Sequence, residues 1–225
     1  MDIARRCAAE FGGSLVLSAT VIGSGIMGER LAGGNDALAL LGNTSATAAI
    51  LFVLISALGP VSGAHFNPAV TLVQMLRRAL SARAALLYVV FQFAGCVSGA
   101  LLAHAMFDLP LVQLSAHARA GEAQLLSEAA ATFALVACIL MVSRFRPEAV
   151  PGAVALVIAA GYWWTSSTSF ANPAITVART LSDTFAGIRP GDAPGFIAAQ
   201  IAGALAAGAC AGWLLKPALP VRPKP

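Results

Sequence analysis

The sequence predicts an all-α membrane protein with six transmembrane helices and two re-entrant half-helices in an inverted 3+3 repeat. Three observations carry this expectation. The composition is too apolar for a surface that faces water. The chain divides into long blocks almost free of charge. One Asn-Pro-Ala motif occurs in each half.

Apolar residues make up 58% of the 225 residues and charged residues 11%, with a mean hydropathy of +0.80. A soluble domain carries about 25% charge to cover its surface. This chain lacks that cover, so its solvent is largely lipid. The net charge of +4 does not indicate nucleic acid, because the basic residues form no stripe interleaved with aromatics. They sit between apolar blocks instead. Cys7, Cys96, Cys138 and Cys210 are scattered through apolar stretches without metal-ligand spacing. They read as small buried hydrophobes, and no metal site is expected. The first apolar run is long enough to span and is followed by further spans, which argues against a cleavable signal.

A spanning helix needs roughly 20 apolar residues. Flanking charges bound six blocks: Arg6 to Glu29, Asp36 to Arg77, Arg83 to Asp108, Glu122 to Arg144, Glu148 to Arg179 and Asp192 to Lys216. The second and fifth exceed one span and fall short of two. Each is broken by turn residues, Gly59-Pro60-Val61-Ser62-Gly63 in one and Ser166 to Ser169 in the other. The expected arrangement is a full helix, a re-entrant loop, and a half-helix that stops mid-membrane. Irregular backbone at that depth is tolerated only beside protein or a water-filled cavity, which points to a pore.

The halves correspond. Phe66-Asn67-Pro68-Ala69-Val70-Thr71 recurs as Ala171-Asn172-Pro173-Ala174-Ile175-Thr176, Glu10 has a counterpart in Glu128, and Gln92-Phe93-Ala94-Gly95 in Gln200-Ile201-Ala202-Gly203. The expected organisation is one integrated domain: residues 1–108 as the first repeat, 109–216 as the second, and 217–225 as a cytoplasmic tail. Three spans per repeat invert the second copy, and such repeats place their site near the midplane. Orientation follows from Lys and Arg. With the N-terminus cytoplasmic, Arg5, Arg6, Arg77, Arg78, Arg83, Arg144, Arg146, Lys216, Arg222 and Lys224 fall inside, and only Arg30, Arg119, Arg179 and Arg189 outside. Both termini are therefore expected in the cytoplasm.

Proline suits the first turn of a helix and Asn is a favoured N-cap. Asn67-Pro68-Ala69 and Asn172-Pro173-Ala174 thus read as two helix starts. If they meet at the bilayer centre, two positive dipole ends face one lumen. Cations are then opposed, and neutral polar solutes exchange hydrogen bonds with the wall.

The run Gly63-Ala64-His65-Phe66-Asn67-Pro68-Ala69-Val70-Thr71, with its echo in the second half, resembles the first pore signature of the aquaporin, or major intrinsic protein, family. The resemblance covers nearly the whole chain and implies an aquaporin-like fold, a homotetramer and passive flow of small neutral solutes. It implies no cofactor, no nucleic acid and no enzymatic activity. It also implies that Glu10 and Glu128 brace the re-entrant loops. Family members carry arginine directly after the second Asn-Pro-Ala, and here that position is Ile175. Counting from the motif asparagines places the other filter positions at Thr47, Ala160 (Gly161 if the register slips by one) and Ser169. The inferred filter is small and uncharged, hence wide.

The stretch from Ser169 to Gly187 resembles aquaporin homologues found beside bacterial arsenic-resistance genes, in which an aliphatic residue likewise replaces that arginine. This implies a bacterial inner-membrane channel for arsenite and methylated arsenicals, with glycerol a further candidate. A general water or glycerol channel, or an inverted-repeat secondary transporter, is the alternative. Phe170 either walls the outer pore or faces lipid or another helix. Arg179, four residues beyond Ile175, is expected on the same helical face in the outer vestibule. There it attracts weakly acidic solutes, or it pairs with Asp183 or caps a loop carbonyl. His65 is expected to hydrogen-bond the loop, with a pH gate as the alternative. His104 and His117 have no evident partners, and Trp163 and Trp164 suit an interfacial belt.

Overall fold

In the computed structural model, residues 1–216 are described; the expected tail at 217–225 lies outside them. Eight α-helices follow in order: α1 Ile3–Leu31, α2 Asp36–Ser62, α3 Pro68–Leu76, α4 Ala82–Met106, α5 Glu122–Phe145, α6 Val150–Trp164, α7 Pro173–Arg179 and α8 Ala193–Leu214. The fold class expected from the sequence is the one observed. Helices α1, α2, α4, α5 and α8 are long and apolar enough to cross a membrane. Helix α6 has 15 residues and is preceded by the short 3₁₀ turn Pro147–Ala149.

The breaks sit where the chemistry of each end demands them. Helix α2 continues through Gly59 and Pro60 to Ser62, and turns off at Gly63 (φ 92°). The turn thus falls at the last residue of the Gly59-to-Gly63 stretch in which the sequence places the break. Pro60 offers no N–H to the Ser56 carbonyl one turn back, so the ladder loses a bond just before the helix ends. Asn67 and Asn172 cap α3 and α7 through their side-chain oxygens, each followed by a proline at the first helical position. Ser81 caps α4 the same way.

Packing repeats between halves. Helix α1 packs on α4 and α2 as α5 packs on α8 and α6. The half-helices cross over: α7 lies against α4 and α3 against α8, while α2 meets α6 and α3 meets α7 across the pseudo-twofold. Lipid gives helices no hydrophobic reason to associate, so close contact between small residues must hold them. A Cβ added at Gly99 would collide with the Leu15 carbonyl, and one at Gly203 with the Ala129 backbone. These small residues thus serve packing within the chain. Hydroxyls in the spans return to carbonyls one turn back, as Thr44 does to Leu40 (2.7 Å) and Ser56 to Phe52 (2.7 Å). Asn43 ties α2 to α1 by donating to the Val21 carbonyl (2.8 Å). The outward faces carry Leu41, Phe52, Leu86, Leu126, Leu156, Trp163, Trp164 and Trp213, all exposed, as a lipid-facing surface requires.

Candidate functional site: a lumen between mirrored half-helices

Each re-entrant loop is held by one carboxylate. Glu10 Oε1 accepts from Ser62 Oγ (2.6 Å) and the His65 amide (3.0 Å); Oε2 accepts from the Phe66 amide (2.7 Å) and Gln92 Nε2 (2.8 Å). Glu128 repeats this with Ser167 Oγ (2.5 Å), the Phe170 and Ala171 amides (both 2.9 Å) and Gln200 Nε2 (2.6 Å). Both carboxylates are wholly buried. Four donors apiece replace the water each ion has lost, so burial is tolerated without a cationic partner. The glutamines also donate to Thr71 and Thr176 (both 2.9 Å), binding α4 to α3 and α8 to α7. His65 completes the first loop through Nδ1 and Thr71 Oγ1, 3.1 Å apart.

The loops are strained in parallel. Ala64 and Phe66 in one, and Thr168, Ser169 and Ala171 in the other, hold positive φ between 46° and 61°. Such backbone persists only where surroundings enforce it, and the glutamates are the enforcing groups. The two halves then clasp: Asn67 Nδ2 donates to the Ala171 carbonyl (2.7 Å) and Asn172 Nδ2 to the Phe66 carbonyl (2.8 Å). Each asparagine oxygen accepts from its own helix start, Ala69 for one and Ala174 for the other. Each amide keeps a second N–H free of protein partners.

These elements enclose a cavity of about 420 Å³ that includes both asparagines, His65, Phe66, Ser169, Phe170 and Ala171. Its apolar wall comes from Leu17, Val21, Leu51, Val70, Leu135 and Ile158. Among the described residues the only charged side chains lining it are Arg6 at one mouth (here the basal mouth) and Arg179 at the other (the distal mouth). Glu10 and Glu128 stand behind the wall rather than in it, which gives the lumen a positive lining with neutral polar and apolar residues between.

Of the expected filter residues, Thr47, Ser169 and Ile175 line the cavity. Ala160 does not. It is exposed on the outer face of α6, because the inward stripe of that helix runs Val154, Ile158 and Tyr162 at four-residue steps. The alternative Gly161 is buried against Ser169, where any Cβ would collide with its side chain. The residue missed is Tyr162. It lines the lumen and its hydroxyl donates to Thr47 Oγ1 (3.3 Å). The lining beside Thr47 therefore includes an aromatic ring, and not small side chains alone.

Phe170 faces the lumen and stacks edge-on against Phe196, with centroids 5.2 Å apart. Arg179 is 2% exposed and lies over the Phe170 ring at 3.3 Å, with Nε donating to the Ala186 carbonyl. Of the two expected structural contacts, the carbonyl cap is present and the pair with Asp183 is not. Asp183 instead accepts from the Ala116 amide (2.9 Å). Arg119, read from sequence as a loop charge, is buried beside the same ring at 5.1 Å. It donates to Gly187 (2.8 Å), Ser167 (3.3 Å) and Phe185 (3.4 Å) carbonyls. His104 is also buried, joining the Leu111 carbonyl (2.7 Å) to Ser182 Oγ (2.8 Å) and so fixing the loop after α4 to the one after α7. Nothing in the motif pattern marked either residue. Their signal was a polar side chain at a span end, which many exposed residues share. His117 lies in the same loop; partial burial, then the charges of Arg119 and Arg179, hold its pKa below the ordinary 6.5.

A lumen threaded between two clasped half-helices of an inverted repeat is the architecture of a membrane pore for small solutes. Residues 1–163 match the profile of the family described as "Major intrinsic protein", and the chain belongs to that family of membrane channels. It is 55% identical over 220 residues to "Aquaglyceroporin AqpS" of Rhizobium meliloti (strain 1021), covering 98% of this chain and 94% of that protein. A second relative, "Probable aquaporin PIP2-8" of Oryza sativa subsp. japonica, is 35% identical over 77 residues, or 34% of this chain and 27% of the relative. Among solved structures, the aquaglyceroporin from Plasmodium falciparum superimposes with a TM-score of 0.70 at 17% identity, covering 94% of this chain and 95% of that one. That likeness bears on the fold.

Proposed function

We propose that this channel passes small uncharged polyol-like solutes, trivalent arsenic hydroxide and its methylated forms foremost, with glycerol as a further permeant. The supporting observation is Ile175, an aliphatic residue lining the lumen directly after the second Asn-Pro-Ala. No guanidinium obstructs that position. Arsenite at neutral pH is largely As(OH)₃, a neutral solute with three hydroxyls. The free N–H of Asn67 and Asn172 and the hydroxyls of Thr47, Tyr162 and Ser169 offer donors and acceptors for such a solute, while the apolar wall keeps it from binding too tightly. The proposed filter is Thr47, Tyr162, Ser169 and Ile175.

In this reading both termini are cytoplasmic in a bacterial inner membrane and four copies assemble, each with its own pore. Burial of Arg119 and Arg179 supports the orientation, since it removes two of the four cations from the face assigned outside. Tyr162 favours a second, narrower reading, a general water and glycerol pore, which the name of the Rhizobium relative also suggests. Stopped-flow permeation in proteoliposomes separates the two. Arsenite and methylarsenite fluxes at least as fast as glycerol flux support the first reading. Fast water and glycerol with negligible arsenical flux would leave the second.

A further inference from the structure

We propose that the distal mouth holds a binding subsite for a small singly charged oxyanion, such as a carboxylate or a phosphonate monoanion, seated on the terminal guanidinium nitrogens of Arg179 above Phe170. The proposal rests on the pore reading only in placing the site at a mouth of the lumen.

The argument begins with what Arg179 leaves uncommitted. Among the described residues only its Nε has a hydrogen-bond partner, the Ala186 carbonyl. Its two Nη atoms have none, yet they are not among the described side-chain atoms that are both sealed from solvent and unpartnered. The side chain is 2% exposed and lines the cavity. A nearly buried cation thus turns its donor fork into the lumen. No carboxylate answers it: among the described residues the one ion pair is Arg189–Asp192, 2.8 Å apart and outside the lumen.

The neighbours reinforce the charge. Arg119 lies beside the other part of the Phe170 surroundings, with its nitrogens fixed to three backbone carbonyls. It adds field without competing for the ligand. Arg179 ends α7, where exposed carbonyls would oppose an anion. Here they are occupied: Val177 accepts from Thr180, Ala178 from Leu181, and Arg179 from Ser182 and Ile188. The carboxylates of this region are also engaged: Glu128 holds its four donors behind the wall, Asp183 accepts from the Ala116 amide and Glu29 from the Phe185 amide. A planar fork with two free nitrogens matches two oxygens of one ligand, and charge-assisted pairs of this kind are about twice as strong as neutral ones. The stacked ring holds the fork in place.

The test uses the purified full chain in detergent and methylphosphonate at a pH where it carries one charge, read by ³¹P linewidth against protein concentration. Binding is measured without flux, so its failure is distinct from failure of the permeation reading. The expected result is saturable broadening reversed by acetate but not by neutral dimethyl sulfone. In Arg179→Gln binding weakens about tenfold, and in Arg179→Lys, which keeps charge without the fork, by a smaller factor. If Arg179→Gln does not fold, the competition in the unaltered chain decides. Absence of saturable broadening, equal displacement by dimethyl sulfone, or unchanged binding in a folded Arg179→Gln overturns the proposal.

Discussion

Single residues set the conditions for the pore. Glu10 and Glu128 each collect four donors while fully buried. Removing the carboxylate in Glu128→Ala strands the Phe170 and Ala171 amides, a loss of about 3 kcal/mol or more by analogy with broken buried charge networks. The expected outcome is a large drop in melting temperature in detergent, with Glu128→Gln intermediate. A melt equal to the unaltered chain would mean the loop is held by something else. His117 makes a second prediction. Its folded pKa is lowered, so the folded state prefers the neutral ring. The stability this lends is present above the unfolded value near 6.5 and fades as pH falls through it toward the folded value. The ring's NMR titration midpoint should lie below 6.5 and rise when Arg119 is replaced by Gln.

Elements were legible where periodicity or a cap spoke locally. The six spans follow from charge spacing and both half-helix starts from the Asn-Pro pairs, whereas the loop-bracing role of Glu10 and Glu128 came with the family resemblance. What sequence could not fix was rotation. Counting back from Asn172 reached Ala160, one helical face away from the lumen, because a count fixes height along the pore but not which way a helix of 3.6 residues per turn is turned. Tyr162 was therefore missed. Arg119 was missed for a different reason, since a long loop carries no period from which its burial can be read. Packing between elements gives a further prediction. Gly203 touches the Ala129 backbone, whereas Gly12 has open space around it. Gly203→Val should broaden or abolish the monodisperse peak in size-exclusion chromatography, while Gly12→Val leaves it sharp. Equal behaviour of the two would contradict the close α5–α8 contact as a determinant of assembly.

At the scale of the whole molecule, the inverted repeat makes both mouths and the centre of the lumen positive. Two arginines line its ends, two helix N-termini meet between them, and among the described residues no acidic side chain lines the lumen. The lining thus carries its charge at the two mouths and has a neutral, apolar side chain at Ile175, which on the proposed reading opposes cations without a charge at the constriction. This separation of charge from constriction is the central claim. The measurement that tests it most directly is stopped-flow flux of water, glycerol, arsenite and methylarsenite through Ile175→Arg beside the unaltered chain. The account predicts that arsenical and glycerol flux fall at least about tenfold, a barrier of roughly 1.4 kcal/mol, while water flux falls less. Equal loss for all four solutes, or no loss for any, would contradict it.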